Sequence, residues 1–261
     1  MDSGRAQRIN MKYELLELNL NSPTIRVIGF GAGGNSAASY MVESKLKVDR
    51  LESVTAPDLK KEISDTDLLF LTAAMTESDA LNELIQAAKI ARKRNILTIA
   101  LVTSATGSII SEVKGSVDSF IIFPESVGAS FNELCLDAVQ EIIGFISQEG
   151  LIDLDFSDLK GVTKKAGRCA IGSGLASGDN KEQKAIDMSL SSELLKGINL
   201  QGIDGMLIKI SSACLGVDEF DGILSPINKL VSDTAIIKVA TVINEKLTDT
   251  VKVSILCTGI G

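Results

Sequence analysis

Apolar positions along the chain follow two alternating rhythms. Short continuous apolar runs at 24–28, 67–71, 96–102 and 119–123 have the length of strands buried on both faces. Between them, apolar residues recur at helical spacing, most clearly over 78–92. The first run is broken by Gly29, Gly31, Gly33 and Gly34, and helical spacing resumes over 35–43, so strand, glycine loop and helix follow one another. Strands alternating with helices in this order predict a doubly wound, mostly parallel sheet. A charged lead-in, 1–22, is expected to hold a short helix around 12–18, and 47–55 is a weak segment.

The rhythm changes past a long apolar-periodic helix expected over 131–147. A second helix opens near Phe156, followed by a helix over 181–195, a strand over 205–211 and a helix over 217–232. Two apolar strands, 236–244 and 250–258, flank Glu245-Lys-Leu-Thr-Asp249, the signature of a hairpin. The expected architecture is α/β. A nucleotide-binding type of domain covers 1–130, the central helix with its acidic loop covers 131–158, and a second α/β domain with a mixed sheet covers 159–261.

Composition narrows the chemistry. Hydrophobic residues make up 45% of the 261 positions but aromatic ones only 4%, so the core is aliphatic. The balance of 26 basic against 34 acidic residues, a net charge of -8, argues against a nucleic-acid surface. The basic run at 89–94 reads as a solvated helix end, with cations near a negative C-terminus. The absence of histidine removes Ser-His-Asp triads and most zinc sites. Cys135, Cys169, Cys214 and Cys257 lie far apart and read as buried thiols in a reducing compartment. No apolar run reaches the length of a membrane span and the start is polar, so a soluble, cytoplasmic protein without direct membrane binding is expected.

Three stretches carry candidate chemistry. Asp153, Asp155 and Asp158 crowd in front of the helix at Phe156. Aspartates there cap a helix and complement its dipole, yet three are more than one cap requires. Action on a water molecule is the alternative; the spacing fits no calcium loop, and no dedicated metal site is expected. Gly29-x-Gly31-x-x-Gly34, with Ala32, Gly33 and Asn35, matches the dinucleotide fingerprint, and Asp49 falls where a ribose-binding acid would sit. A tight turn packing helix on strand explains it equally. In Thr76-Glu-Ser-Asp79, Thr76 caps a helix while Glu77 and Asp79 lie on its positive end.

Read together, these segments resemble the FtsZ/tubulin family from Ile25 to Gly261. The resemblance rests on Gly150-Leu-Ile-Asp-Leu-Asp-Phe-Ser-Asp-Leu-Lys160, Gly172-Ser-Gly-Leu-Ala-Ser-Gly178, Ser191-Ser-Glu-Leu-Leu195 and Cys257-Thr-Gly-Ile-Gly261. It rests also on Ile25-Arg-Val-Ile-Gly-Phe-Gly-Ala-Gly-Gly-Asn35, similar to that family's first phosphate loop, and on Asp67-Leu-Leu-Phe-Leu-Thr-Ala-Ala-Met75. It implies a GTPase domain, a central helix and an activation domain, assembled head-to-tail so that one subunit's acidic loop completes the next subunit's GTP site. Asp155 and Asp158 fall on the family's two aspartates that polarise the attacking water; Asp153 stands where the family has Asn.

The other side of the site departs from the family. The glycine- and threonine-rich phosphate cradle is replaced by 76–82, where Glu77 and Asp79 set like charge against a phosphate and so block the site. The segment 51–62 lacks the Asn-Thr-Asp signature, with a following helix and loop deleted, and the guanine-reading Asp falls near Asn132. The expectation is therefore GTP or GDP with Mg bound weakly or not at all. The partner would be a second copy or a competent FtsZ homologue, met head-to-tail, whose filaments this chain joins or regulates. The alternative is a self-polymerising GTPase driving cell division with an atypical nucleotide site. An NAD-dependent dehydrogenase would lack its histidine base. The family's linker and adaptor-recruiting peptide do not follow Gly261, so no route to the membrane is expected.

Overall fold

Unbroken runs of Ile, Leu, Val and Phe are stable as strands only where both faces are covered, and the sheet is built that way. A computed structural model of the chain describes residues 23–44, 51–54, 63–74, 78–103, 107–124, 130–147 and 150–261. Strands β1 (Ile25–Phe30), β2 (Leu51–Val54), β3 (Leu68–Ala73), β4 (Leu97–Thr103) and β5 (Ser119–Phe123) are parallel, in the spatial order β2-β1-β3-β4-β5. Every residue of β3 is buried. On one face Val27, Leu68 and Phe70 pack with α1 (Gly31–Glu43) and α4 (Phe131–Gly144). On the other, Ile28, Leu69 and Leu71 pack with α2 (Ser78–Lys93) and α3 (Gly107–Ser116).

Helix α5 (Phe156–Thr163) then feeds β6 (Gly167–Ser177), which touches β5 in parallel only at Ser119↔Gly167 and Phe120↔Arg168. Most of β6 runs antiparallel to β9 (Thr250–Ile260). In turn β9 is antiparallel to β7 (Gly205–Ser212), and β7 is parallel to β8 (Ile236–Ile243). Nine strands thus form one sheet, β2-β1-β3-β4-β5-β6-β9-β7-β8. Helices α6 (Lys181–Leu190) and α7 (Val217–Leu230) cover Met206, Ile208 and Cys257 on its second half. Among the described residues no helix is long and apolar enough to cross a membrane.

Several elements differ from the sequence pattern. The two last strands form no hairpin: β9 lies between β6 and β7 while β8 takes the edge. Burial decides this, since β9 is buried along most of its length and needs a neighbour on each side, whereas β8 is exposed at both ends. Strand β6 gives no apolar signal because its small residues serve close packing. A Cβ on Gly172 would lie 2.5 Å from Ser189 O, and one on Gly174 2.0 Å from Ala185 O, both on or beside α6. Helix α6 stops at Leu190, before the serine pair 191–192 that turns the chain, and α4 stops at Gly144. Helix α3 was not visible in the pattern. The helix expected at 12–18 lies outside the described residues. Cys135, Cys169 and Cys257 are buried, the thiols of the last two pushed up to about 12 chiefly by desolvation, but Cys214 is exposed in the turn after β7.

Helix α4 is tied to the second half of the sheet by charge. Glu141 Oε2 is 3.2 Å from Lys209 Nζ on β7, and Glu141 Oε1 accepts a hydrogen bond from Lys252 on β9. Lys209 Nζ also lies 5.3 Å from the centroid of the Phe145 ring. Lys209 is only 4% exposed, and its ammonium is admitted because residue 144 is glycine: a Cβ there would fall 2.5 Å from Nζ. Burial tends to raise the Glu141 carboxyl, but the two ammonium groups more than offset this and hold it below the ordinary glutamate range. Burial pushes the Lys209 ammonium down, and its attraction to Glu141 only partly opposes this, with Lys252 nearby adding like charge.

Removing one member of a buried ion cluster strands the others, so Glu141→Ala is expected to cost about 3 kcal/mol of unfolding free energy. Glu141→Leu with Lys209→Met should recover most of that loss. A carboxyl depressed in the folded state contributes stability above its unfolded pKa and loses it as pH falls through the folded one. The acid limb of denaturant-monitored stability should therefore flatten in Glu141→Ala, and an unchanged limb would contradict the clamp.

Candidate functional site

At 1.5 Å per residue, α4 is about 21 Å long, and its two ends carry the two groups of residues with candidate chemistry. After its C-terminal end the chain lies flat along β8. Leu151 and Ile152 N–H donate to Thr241 Oγ1 at 3.0 and 2.8 Å, and Thr241 N–H donates to Ile152 O at 2.9 Å. A Cβ at Gly150 would fall 1.4 Å from Thr241 O, so the approach demands glycine. Asp153 Oδ1 accepts from Gly150 N–H at 2.7 Å and closes this turn.

Asp155 and Asp158 then form a reciprocal capping box at the start of α5. Asp155 Oδ1 accepts from Asp158 N–H at 2.9 Å, and Asp155 N–H donates to Asp158 Oδ2 at 3.1 Å. Ser157 Oγ donates to the same Asp155 Oδ1 at 2.7 Å, which with the Asp158 N–H holds the Asp155 carboxyl below the usual aspartate range. Asp158 Oδ1 pairs with Lys238 Nζ at 2.9 Å. Each of the three aspartates thus has a structural task. The Ser157 hydroxyl and the Asp158 N–H both donate to Oδ1 of this exposed side chain. Lys238, Thr241 and Ser157 were not singled out from the sequence. The signals available were a lysine and a threonine inside the apolar run of β8.

At the other end of α4, β1 passes straight into α1. Gly29 lies in β1 and the other three glycines in the first turn of α1 rather than in a separate loop, with Gly31 at φ +67. A Cβ on Gly29 would fall 2.3 Å from Gly34 O, one on Gly34 2.2 Å from Thr72 O, and one on Gly33 2.7 Å from Ala74 Cβ. Thr72 Oγ1 donates to Gly34 O at 2.9 Å. Close packing of α1 on β1 and β3 therefore requires three of these glycines and backbone conformation the fourth. The α1 start has no side-chain cap and no acid in its first turn, whereas α4 begins with a Ser130/Glu133 capping box. Ala32 is exposed, and Asn35 holds a buried Oδ1 with no hydrogen-bond partner among the described residues. Asn132 Nδ2 donates to Ser36 Oγ at 2.9 Å, tying the start of α4 to α1. Asp79 is exposed in the first turn of α2; Glu77, Thr76 and Asp49 lie outside the described residues.

Two substitutions test these assignments by denaturant unfolding. Asp155→Ala should cost about 1 kcal/mol at neutral pH through loss of the cap. Because the Asp155 pKa is depressed, its difference from wild type should shrink as pH falls through that pKa. Gly34→Ala should cost about 2 kcal/mol or more, since the helix must lift off β3; a neutral effect would show that α1 does not pack as described.

Comparison with known proteins places this geometry. Residues 167–261 match the FtsZ family C-terminal domain. Cell division protein FtsZ of Buchnera aphidicola subsp. Baizongia pistaciae is 30% identical over 316 residues, covering 95% of this chain and 82% of the relative. FtsZ of Wigglesworthia glossinidia brevipalpis is 28% identical with the same coverage. The matched span of 316 positions covers 95% of this 261-residue chain, so the alignment holds stretches of the relative that have no counterpart here. In fold, an empty FtsZ dimer from M. jannaschii superposes with a TM-score of 0.75 at 21% identity, over 93% of this chain and 90% of that one. TubZ of Bacillus thuringiensis serovar israelensis, in GDP-form protofilaments, gives 0.63 at 12% identity over 91% and 86%. With a relative at 30% identity along nearly its whole length, and a sheet shared with FtsZ structures, the chain belongs to the FtsZ family of cell division proteins.

Proposed function

We propose that this chain is a cytoplasmic FtsZ-type assembly protein that joins or regulates filaments of a competent FtsZ homologue head-to-tail. It presents its acidic cap to that partner's nucleotide and binds guanine nucleotide weakly or not at all itself. The observation that carries this reading is the placement of two unlike half-sites beyond opposite ends of α4: the Asp155/Asp158 cap, with Asp155 exposed and Asp158 half-buried, and the glycine start of α1. A head-to-tail contact is heterologous, so a chain with one serviceable face can still dock on a neighbour. The dimer and protofilament forms of the relatives support end-to-end assembly.

The described residues fit the phosphate end of a nucleotide better than its base. An uncapped helix start without acidic residues suits an anion. Asn132, however, offers one carbonyl acceptor where guanine presents two donors, and its amide is already spent on Ser36. The longer matched span of the FtsZ relatives supports a deletion within this chain, which the resemblance puts after 51–62. No hydrolytic step is therefore assigned to this chain's own α1 end. Toward a partner's nucleotide, Asp155 works by orientation. A carboxylate held below its ordinary pKa stays ionised at neutral pH and accepts protons poorly, so it aligns a water through its remaining lone pairs. Asp158, anchored by Lys238, fixes the spacing.

Asn35 favours a second reading, a self-polymerising GTPase driving division, because its buried, unpartnered Oδ1 would accept from a nucleoside hydroxyl or N–H. Two measurements separate the readings. Calorimetric titration of GTP and GDP with Mg²⁺ should give no binding heat up to millimolar nucleotide. Addition of the protein to a purified, GTP-hydrolysing FtsZ should change its turnover or polymer mass, and the folded Asp155→Ala variant should lose that effect. Micromolar GTP binding would establish the second reading. An unchanged partner with wild-type protein would end the first.

A further inference from the structure

In the middle of the sheet, at the strand ends where β5 and β6 begin, a cavity of about 560 Å³ opens over the junction of the two. Three exposed cations line it, Arg92 from the end of α2, Lys114 from the end of α3 and Lys165 from the turn between α5 and β6, together with two carboxylates, Asp118 and Asp204, and the backbone on either side of Gly167 and Gly259. Arg92 is held in place by donating from Nη1 to Gly115 O at 2.9 Å. Asp118 is occupied by Thr98 N–H at 3.1 Å, and Asp204 lies against Gly259. Among the described residues neither Lys114 nor Lys165 enters an ion pair. Lys93, Arg94, Lys164 and Arg168 adjoin the lining in sequence, a concentration of positive charge in a chain of net -8.

Cations at helix C-termini offset the dipole, which accounts for Arg92 and Lys114. It does not account for the backbone of Lys165, held at φ 60, where nearby Gly167 and Gly259 adopt the same region freely. A lysine kept where glycine is easier points to use of its side chain. The cavity also has one wall on each half of the molecule, across a seam joined by only two β5–β6 register pairs. We propose that it binds a compact, multiply charged anion of the polyphosphate class, which staples the two halves together. This is independent of any nucleotide at α1.

Calorimetry and thermal unfolding of the whole protein with inorganic tripolyphosphate at low ionic strength test the proposal. One anion should bind per chain, raise Tm and lose affinity as salt increases. Lys114→Glu should weaken binding by about tenfold or more, the scale of one charge-assisted contact. Lys165→Gly should melt at or above wild type without the anion, since it relieves the left-handed lysine, yet bind about fivefold or more weakly. No heat and no Tm shift at millimolar tripolyphosphate would overturn the proposal. Unchanged affinity in both variants would overturn it too, because the anion would then sit elsewhere, the α1 start included.

Discussion

One carboxylate shared by two lysines fixes where α4 lies, and the rest of the molecule is hung from that helix. Its apolar side, Cys135, Ala138, Val139 and Ile142, joins a single core containing Phe70 and Leu97 from the parallel half and Leu207 and Leu256 from the other. Apolar burial drives this association but has little directional preference, so it would tolerate small rotations of the helix. Glu141 does not, because its two oxygens address Lys209 on β7 and Lys252 on β9. Gly144 and the face of Phe145 complete the seat of the Lys209 ammonium. The cluster contributes register more than net stability, the usual worth of a buried charge.

Fixed register matters because α4, about 21 Å long by helical rise, spaces the segments that carry the candidate chemistry. At one end Asn132 reaches Ser36 on α1; beyond the other, Gly150 to Ile152 are stitched to Thr241. The acidic cap is built from backbone N–H groups as much as from carboxylates. Folding and any action on water thus draw on the same side chains. The glycines of α1 have a comparable double standing, since the backbone approach that would admit a phosphate is the one that seats the helix against Thr72 and Ala74.

Much of this architecture was legible in the chain. Strands β1, β3, β4 and β5, helices α2 and α7 and the start of α5 emerged within a few residues from apolar runs and spacing, because each of those strands is largely buried; β2 fell in a segment whose pattern was weak. Legibility failed where small residues do the work: β6 carries glycine, alanine and serine in place of branched apolar side chains, and only its packing on α6 explains them. It failed also for strand order, since β8 and β9 are both apolar and only the finished sheet distinguishes edge from interior. Of the site, the aspartates and glycines were visible by type and spacing. Their partners Lys238, Thr241, Thr72 and Ser36 were not, because no local pattern relates residues 38 to 96 positions apart.

The order of strands in the sheet differs from their order of synthesis, and this sets a timetable. Strands β1 to β5 find their neighbours among themselves, so the parallel half can close while later segments are still being translated. The second half cannot, because β9, last in chain order, lies between β6 and β7 and is the partner both need. Until Thr250–Ile260 has emerged from the ribosome, those two strands present open edges of eleven and eight residues. The nascent chain thus carries a half-built sheet from the completion of β6 at Ser177 until β9 begins at Thr250, a form that invites chaperone capture or strand donation from another chain.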